Sequence, residues 1–261
     1  MSIRRLYLQT PPHGESALLS GSEAHHLIHV LRARSGDCIE LIDGSGRVWT
    51  GVVSEIGTES VDLSRVTLIV EKRPYSTSLI LLQSLCKADK LEWTLQKTTE
   101  LGVTEIYLVE ARRSVARIPL ERIEAKMDRW KKIIIGAAKQ SRREAIPLLH
   151  PPMNCRSACE QVNAELRILF SENQGQRNLK RLIQIKPWNS VAFCIGPEGG
   201  WTDDEESQFL HYQFQPISLG THILRTETAA IAALAVLKYE MEDSLASTSN
   251  QHSCSEPGGN K

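Results

Sequence analysis

The segment that decides the fold runs from Gly196 to Glu205 and reads GPEGGWTDDE. It follows an apolar stretch, Val191 to Ile195, that predicts a strand. Thr202 and Glu205 have the spacing of a capping box, which indicates that a helix begins just after the glycines. A strand, a glycine-rich turn and a helix amino terminus are typical of the edge at which an α/β sheet binds a ligand. Because the spacing matches neither GxGxxG nor GxxxxGK[ST], we expect a nucleoside held through backbone groups rather than a triphosphate.

A second loop, from Leu219 to Ala229, reads LGTHILRTETA and leads into a predicted apolar helix from Thr226 to Glu242. Two such loops in succession are expected to lie side by side at the carboxyl edge of one sheet. Arg225 stands immediately before the helix, where it either clamps backbone carbonyls or faces a pocket as a functional cation. The adjoining glycine turns favour the functional interpretation.

From Ser76 onward, apolar strands alternate with helices, which predicts a mainly parallel sheet covered on both faces. The strands Leu79 to Leu85 and Val103 to Val109 enclose a helix from about Asp89 to Leu101, with Gly102 as its left-handed end. Further elements are predicted as a long helix that begins near Pro119 and strands at Leu166 to Phe170, Val191 to Ile195 and Pro216 to Leu219.

The first 70 or so residues have a β pattern. Strands are predicted at Cys38 to Asp43, Arg47 to Ile56 and Ser60 to Val70, and they favour a small barrel. A short helix is predicted from Ser22 to Arg34. Pro74 marks the expected domain boundary.

The charges of the chain sum to zero, with 31 Lys and Arg against 31 Asp and Glu among 261 residues. The segment from Arg112 to Arg143 nevertheless holds eleven basic and three acidic side chains. Such a concentration indicates either a solvated helix face or a surface that binds phosphates.

Membrane and disulfide-rich proteins are excluded by composition. No apolar run approaches the roughly 20 residues of a membrane span, and Met1 to Thr10 lacks the apolar stretch of a secretory signal. We therefore expect a cytoplasmic protein. The six cysteines form no CxxC pair, and His25 with His29 lacks a third ligand, so no metal is expected.

Three segments carry a resemblance to a known family: KADKLEWTLQKTTELGVTEI, GPEGGWTDDE and SLGTHILRTETAAIAAL. Together they closely resemble the bacterial 16S ribosomal RNA (uracil-N3) methyltransferase family, within the SPOUT superfamily, over about Arg4 to Glu242. The resemblance implies a PUA-like RNA-binding β-barrel at residues 1–73 and a SPOUT α/β methyltransferase domain at residues 74–243. The second domain is expected to contain a trefoil knot, a rare exception among folds. Residues 244–261 are expected to be a disordered tail because they have little to bury.

The resemblance implies S-adenosylmethionine as the cofactor. The residues expected to bind it are Ser171, Glu172, Ile195, Gly196, Gly199, Gly200, Leu219, Gly220, Leu224 and Thr226. Arg225 is the leading catalytic candidate, since a cation near the methyl donor can stabilise negative charge on the uracil carbonyls as N3 is deprotonated. Glu198 and Glu227 are further candidates for the base or an orienting group.

The implied partners are 16S ribosomal RNA or the 30S subunit and a second copy of the chain, with no membrane and no metal. Gln140 resembles part of the family's segment AAEQSxR, in which Lys139 here replaces a commonly acidic position. The candidates for RNA contact are Arg32, Arg34, Arg112, Arg113, Gln140, Arg142 and Arg143. Two alternatives stay open: a SPOUT enzyme that methylates a ribose 2′-hydroxyl of transfer RNA, and a noncatalytic assembly factor that binds ribosomal RNA.

Overall fold

A computed structural model of the chain describes residues 4–71, 77–171 and 179–249. The chain divides into two compact units. The first comprises Met1–Ser76 and Asp128–Pro147, and the second comprises Thr77–Met127 and Leu148–Lys261. The first unit therefore includes a segment that lies far from the amino-terminal residues in sequence.

The first unit contains a five-stranded sheet in the order β1-β3-β4-β5-β2. Its strands are β1 (Arg4–Tyr7), β2 (Ala17–Ser20), β3 (Cys38–Ile42), β4 (Arg47–Ile56) and β5 (Ser60–Glu71). Strands β1 and β3 are parallel and the other pairs are antiparallel. The three predicted strands are confirmed, whereas the four-residue strands β1 and β2 are too short to show a period in the sequence.

The helix predicted from Ser22 to Arg34 is shorter than expected. Helix α1 spans Gly21–His25 and continues as a π-helical turn over His26–Val30. Arg32 then adopts a φ of 49°, in the left-handed region, which ends the helix.

The remaining helices are α2 (Ala88–Leu101), α3 (Leu120–Gln140), α4 (Cys155–Gln161), α5 (Leu179–Ile183), α6 (Asp203–His211) and α7 (Thr226–Ser249). Gly102 ends α2 with a φ of 105°, as its sequence position predicts. Within the described residues, no helix has the length and apolar character that a membrane span requires.

Helix α3 begins directly after Pro119, as predicted, and buries Trp130 and Ile134. Near its end, Lys139 Nζ lies 2.7 and 2.9 Å from the two carboxylate oxygens of Glu23. Glu23 Oε2 also accepts a hydrogen bond of 2.9 Å from the Tyr7 amide. The cation at position 139 therefore has a partner within the first unit.

The second unit contains a six-stranded sheet in the order β11-β9-β10-β6-β7-β8. Its strands are β6 (Ser78–Ser84), β7 (Glu105–Val109), β8 (Leu148–Met153), β9 (Leu166–Phe170), β10 (Ser190–Ile195) and β11 (Gln215–Ile217). Every pairing is parallel, which confirms the predicted parallel sheet. Strand β8 was not predicted because its sequence, LLHPPM, contains two prolines, which only an edge strand tolerates.

Helix α7 is longer than its predicted end at Glu242. It buries Ala230, Ala233 and Leu237 completely and continues to Ser249. Residues 244–249, which were expected to be disordered, are therefore helical, and residues 250–261 lie outside the described residues. The fold class inferred from the sequence, an α/β domain after a β-rich amino-terminal region, is confirmed.

Candidate functional site

The carboxyl ends of four strands meet at one edge of the parallel sheet. Ile195 on β10 is in register with Gln83 on β6, and Ile217 on β11 is in register with Phe170 on β9. The loops that follow β10 and β11, together with Phe170 and Ser171 at the end of β9, surround a cavity of about 560 Å³. This volume lies within the range of small-molecule sites, which is about 300–1,000 Å³.

Nine of the ten expected cofactor-binding residues line this cavity. They are Ser171, Ile195, Gly196, Gly199, Gly200, Leu219, Gly220, Leu224 and Thr226. The tenth, Glu172, lies outside the described residues. Arg225 and Glu198 also line the cavity, whereas Glu227 is buried beside them.

The glycines of the first loop are required by close contacts. A Cβ atom on Gly196 would lie 3.1 Å from Trp201 Nε1, and one on Gly199 would lie 3.1 Å from Arg113 Cβ. Both distances are shorter than ordinary contacts. The loop therefore presents backbone rather than side chains to the cavity at these positions, as the sequence predicts.

Arg113 holds this loop in place. Its Nη1 atom donates hydrogen bonds to the carbonyl oxygens of Gly199, at 3.1 Å, and Trp201, at 3.2 Å. Arg112 differs, because its guanidinium forms an exposed ion pair of 2.9 Å with Asp204. Sequence reasoning assigned both arginines to RNA contact and missed the role of Arg113 at the loop, since nothing in a local pattern indicates a partner 86 residues away.

The Thr226 hydroxyl joins the start of α7 to the ends of β10 and β6. It donates a hydrogen bond of 2.8 Å to the Gly196 carbonyl and accepts one of 3.0 Å from Gln83 Nε2. Because its single proton is used within the protein, this hydroxyl can offer a ligand only a lone pair. Gln83 is fully buried, and its part in the site was not predicted.

A buried hydrogen bond closes the other side of the cavity. Ser171 Oγ lies 2.6 Å from Glu206 Oε1, and both side chains line the cavity while being less than a tenth exposed. Glu206 lies in the first turn of helix α6. Its contribution to the cavity comes from the helical turn that points it back toward β9.

A cluster of charges lies next to the cavity. Lys90 Nζ is 3.2 Å from Glu198 Oε1 and 3.7 Å from Glu227 Oε2. The hydrogen bond to Glu198 is the main cause that raises the pKa of Lys90, with a further contribution from the charge of Glu227. Burial, assisted by both carboxylates, raises the pKa of the neighbouring Cys86 thiol to about 12, so this thiol stays neutral and is no nucleophile.

Arg225 differs from the other charged residues around the cavity. Its side chain is exposed, and the structure records no hydrogen bond or ion pair between its guanidinium and the residues described. The sequence left two interpretations of Arg225 open, a clamp on backbone carbonyls and a cation that faces a pocket. No clamp on carbonyls is observed among the described residues. The geometry favours a cation that faces the cavity.

The remaining candidates for RNA contact lie in the first unit. They are Arg32, Arg34, Gln140, Arg142 and Arg143. Arg142 has a φ of 57°, and the Arg143 carbonyl accepts a hydrogen bond of 3.2 Å from Arg5. In the described part of the chain, no group of three or more metal-ligating side chains was found.

Comparison with known proteins places this site in a family. A family model described as an RNA methyltransferase domain matches residues 73–238, and one described as an RNA methyltransferase PUA domain matches residues 19–64. The ribosomal RNA small subunit methyltransferase E of Mycobacterium tuberculosis is 30% identical over 236 residues, which cover 88% of this chain and 89% of that protein.

Two similar solved structures were bound to a cofactor. A methyltransferase from Legionella pneumophila in complex with SAM is 30% identical, with a TM-score of 0.84 and coverage of 92% of this chain and 98% of that chain. The ribosomal RNA small subunit methyltransferase E of Neisseria gonorrhoeae, bound to S-adenosyl methionine, is 30% identical, with a TM-score of 0.80 and coverage of 91% and 98%. This chain therefore belongs to the RNA methyltransferase family that includes the ribosomal RNA small subunit methyltransferases E.

Proposed function

We propose that this protein methylates N3 of a specific uridine in the 16S RNA of the small ribosomal subunit, with S-adenosylmethionine as the methyl donor. The observation that carries the proposal is the Arg225 guanidinium, which has no hydrogen-bond or ion-pair partner among the described residues and lies in the lining of a cavity built from two glycine loops. Family membership and the names of the relatives support an RNA substrate from the small subunit. Such a substrate would place the enzyme in the cytoplasm.

The cavity fits this cofactor in size and in lining. Backbone groups of Gly196 to Gly200 and of Leu219 to Thr226 would hold the nucleoside, with Leu219 and Leu224 against the adenine. The Glu206 carboxylate and Ser171 hydroxyl supply polar groups for its hydroxyls or its amine. When bound, S-adenosylmethionine supplies an electrophilic methyl group on a sulfonium.

Arg225 would provide the electrostatic part of catalysis. Uracil N3 becomes a nucleophile only when its proton leaves, and negative charge then develops on the neighbouring carbonyl oxygens. Because the Arg225 guanidinium has no partner in the described part of the chain, it can donate hydrogen bonds to those oxygens without first breaking a bond to these residues. This assigns to Arg225 the stabilisation of the uracil anion.

The N3 proton needs an acceptor near Arg225. Glu198 lines the cavity at an exposed position, so its carboxylate can reach a bound base directly. Glu227 is only 6% exposed and does not line the cavity, so it suits an orienting role. Of the two carboxylates proposed from the sequence, Glu198 is therefore the better base on geometry.

Recognition of the RNA is assigned to the first unit and to the basic residues predicted from the sequence. The match of a PUA domain model to residues 19–64 supports this assignment. We further propose that the protein is a homodimer and that its carboxyl-terminal segment forms a trefoil knot. Val236 and Tyr239 on helix α7 are large hydrophobic residues that are exposed to solvent. A second copy of the chain would cover them, and this supports the proposed dimer.

The proposal is tested by mass spectrometry of nucleosides from 16S RNA in cells with and without the gene. We expect 3-methyluridine to disappear from the deletion strain and to return when the gene is restored. Its persistence in the deletion strain would refute the assignment to N3. Calorimetry of the purified chain with S-adenosylmethionine separates an enzyme from a noncatalytic RNA-binding factor, because only the enzyme requires the cofactor.

A further inference from the structure

Lys90 occupies a position that its helix does not favour. It lies in the first turn of α2, the helix that follows β6 at the same edge of the sheet as the cavity. The partial positive charge at a helix amino terminus favours acidic residues, such as the adjacent Asp89, and disfavours a cation. A residue that breaks a local rule is expected where tertiary contacts or function require it.

The contacts of Lys90 explain its position. Its Nζ atom lies 3.2 Å from Glu198 in the glycine loop and 3.7 Å from Glu227 in the first turn of α7. Its side chain is about one quarter exposed, so the ion pairs are partly shielded from water. Glu227 Oε2 is buried and has no hydrogen-bond partner in the described part of the chain. Lys90 is thus the cation that compensates this buried oxygen.

We infer that Lys90 is a positioning residue for methyl transfer, which holds the Glu198 carboxylate at the edge of the cavity and the glycine loop against the start of α7. The inference rests on the proposed function, in which Glu198 accepts the N3 proton. Two carboxylates can lie this close to each other when a shared cation offsets their repulsion. Without that cation, Glu198 and Glu227 repel each other and Glu198 loses the contact that fixes its orientation, so its carboxylate is no longer held toward a bound base.

The other charged groups around Lys90 do not replace it. Arg225 is close enough for its positive charge to lower the pKa of Lys90, but it is the cation assigned to the substrate. Asp89 is a further anion, and the Cys86 thiol is neutral because burial raises its pKa to about 12. If Lys90 is lost, Arg225 is the cation that remains near Glu198 and Glu227 among these described groups, and its proposed role is to contact the substrate.

The test compares the full-length wild type with Lys90→Met, Lys90→Arg and a matched control, Lys97→Met. Lys97 forms an ion pair of 2.9 Å with Glu100 on the same helix, away from the cavity. The rate of methyl transfer to small ribosomal subunits is measured at neutral pH with saturating S-adenosylmethionine. The KM for S-adenosylmethionine is measured in parallel.

We expect Lys90→Met to lower kcat at neutral pH by roughly tenfold or more, with the KM for the cofactor changed by less than about threefold. Lys90→Arg should keep most of the activity, since it retains the charge. Lys97→Met should match the wild type.

A double variant tests whether Lys90 acts through Glu198. The variant Lys90→Met with Glu198→Gln should be no slower than the slower single variant, because both changes remove the same function. Full additivity would overturn the inference, as would a Lys90→Met enzyme with the kcat of the wild type. If Lys90→Met fails to bind the cofactor in calorimetry, the Lys90→Arg variant decides the question. Activity of Lys90→Arg supports the inference, and its inactivity overturns the inference. A wild type that transfers no methyl group would instead refute the proposed function.

Discussion

The Thr226 hydroxyl donates a hydrogen bond of 2.8 Å to the carbonyl oxygen of Gly196, which lies 30 residues earlier in the chain. The same hydroxyl accepts a hydrogen bond from Gln83. It therefore couples the glycine loop after β10 to the start of α7 and to the end of β6. These are the elements on which the shape of the cavity depends.

Thr226→Val should destabilise this junction. The change removes the hydrogen bond to the Gly196 carbonyl and one of the two bonds that the buried Gln83 amide donates, at a cost of about 1–3 kcal/mol. The second bond of this amide, to the Ser84 carbonyl, remains. Urea unfolding measures the change in free energy of unfolding. Thr226→Ser keeps the hydroxyl, so its free energy of unfolding should fall less than that of Thr226→Val. An equal fall in the two variants would show that the methyl group of Thr226, rather than its hydroxyl, contributes the stability.

Arg113→Ala should weaken cofactor binding by roughly tenfold, because the glycine loop loses two hydrogen bonds from a charged donor. Arg112→Ala is the matched control. It removes only an ion pair whose two side chains are more than 60% exposed, which contributes little. Calorimetry with S-adenosylmethionine compares the two. A similar affinity in both variants would contradict the loop-holding role of Arg113.

Arg225→Ala should reduce kcat by about 100-fold or more, as expected for the loss of one donor to a developing oxyanion. The affinity for the cofactor should change by less than about threefold if Arg225 acts chiefly in the transition state. Single-turnover rates and calorimetry measure the two quantities separately. A large loss of affinity with turnover preserved at saturation would make Arg225 a binding residue.

Glu205 should make the stability of the second unit depend on pH. Burial alone would raise the pKa of Glu205, but hydrogen bonds from the amides of Thr202 and Arg112 and from the Thr202 hydroxyl outweigh it, so this pKa lies below its ordinary value. A lowered pKa in the folded state stabilises the fold above the pKa of the unfolded chain, about 4.3, and this stability is lost as the pH falls through the lower folded value.

Glu205→Gln keeps the capping geometry and removes the charge. It should cost about 1 kcal/mol at neutral pH, and the difference from the wild type should vanish in acid. Urea unfolding at several pH values measures this. A difference that stays constant down to the acid limit would mean that the charge of Glu205 contributes nothing.

Lys139→Met should destabilise the first unit by about 2 kcal/mol or more, because it leaves the Glu23 carboxylate, only 11% exposed, without its cation. Lys131→Met, at an exposed position of the same helix, is the control. Adding Glu23→Gln to Lys139→Met should restore part of the loss. Thermal unfolding that shows equal effects of the two lysine variants would argue against this ion pair.

The sequence by itself determined the parts of the fold that depend on neighbours along the chain. The capping box of Thr202 and Glu205, the left-handed Gly102 and the apolar strand Val191 to Ile195 all form as predicted. Each is set by local hydrogen bonding, backbone sterics or hydrophobic periodicity. The order of two glycine loops after two strands was likewise sufficient to predict a ligand site at one edge of the sheet.

Only the tertiary structure decided which side chains complete that site. Lys90, Gln83 and Glu206 reach the cavity region from segments whose separation in sequence carries no local signal. The same holds for Arg113, whose predicted partner was RNA but whose observed hydrogen bonds go to the glycine loop. Long-range contacts depend on how strands order themselves within a sheet, and no periodicity records that order. The chain pattern therefore indicated where the site lies, and packing decided which charges surround it.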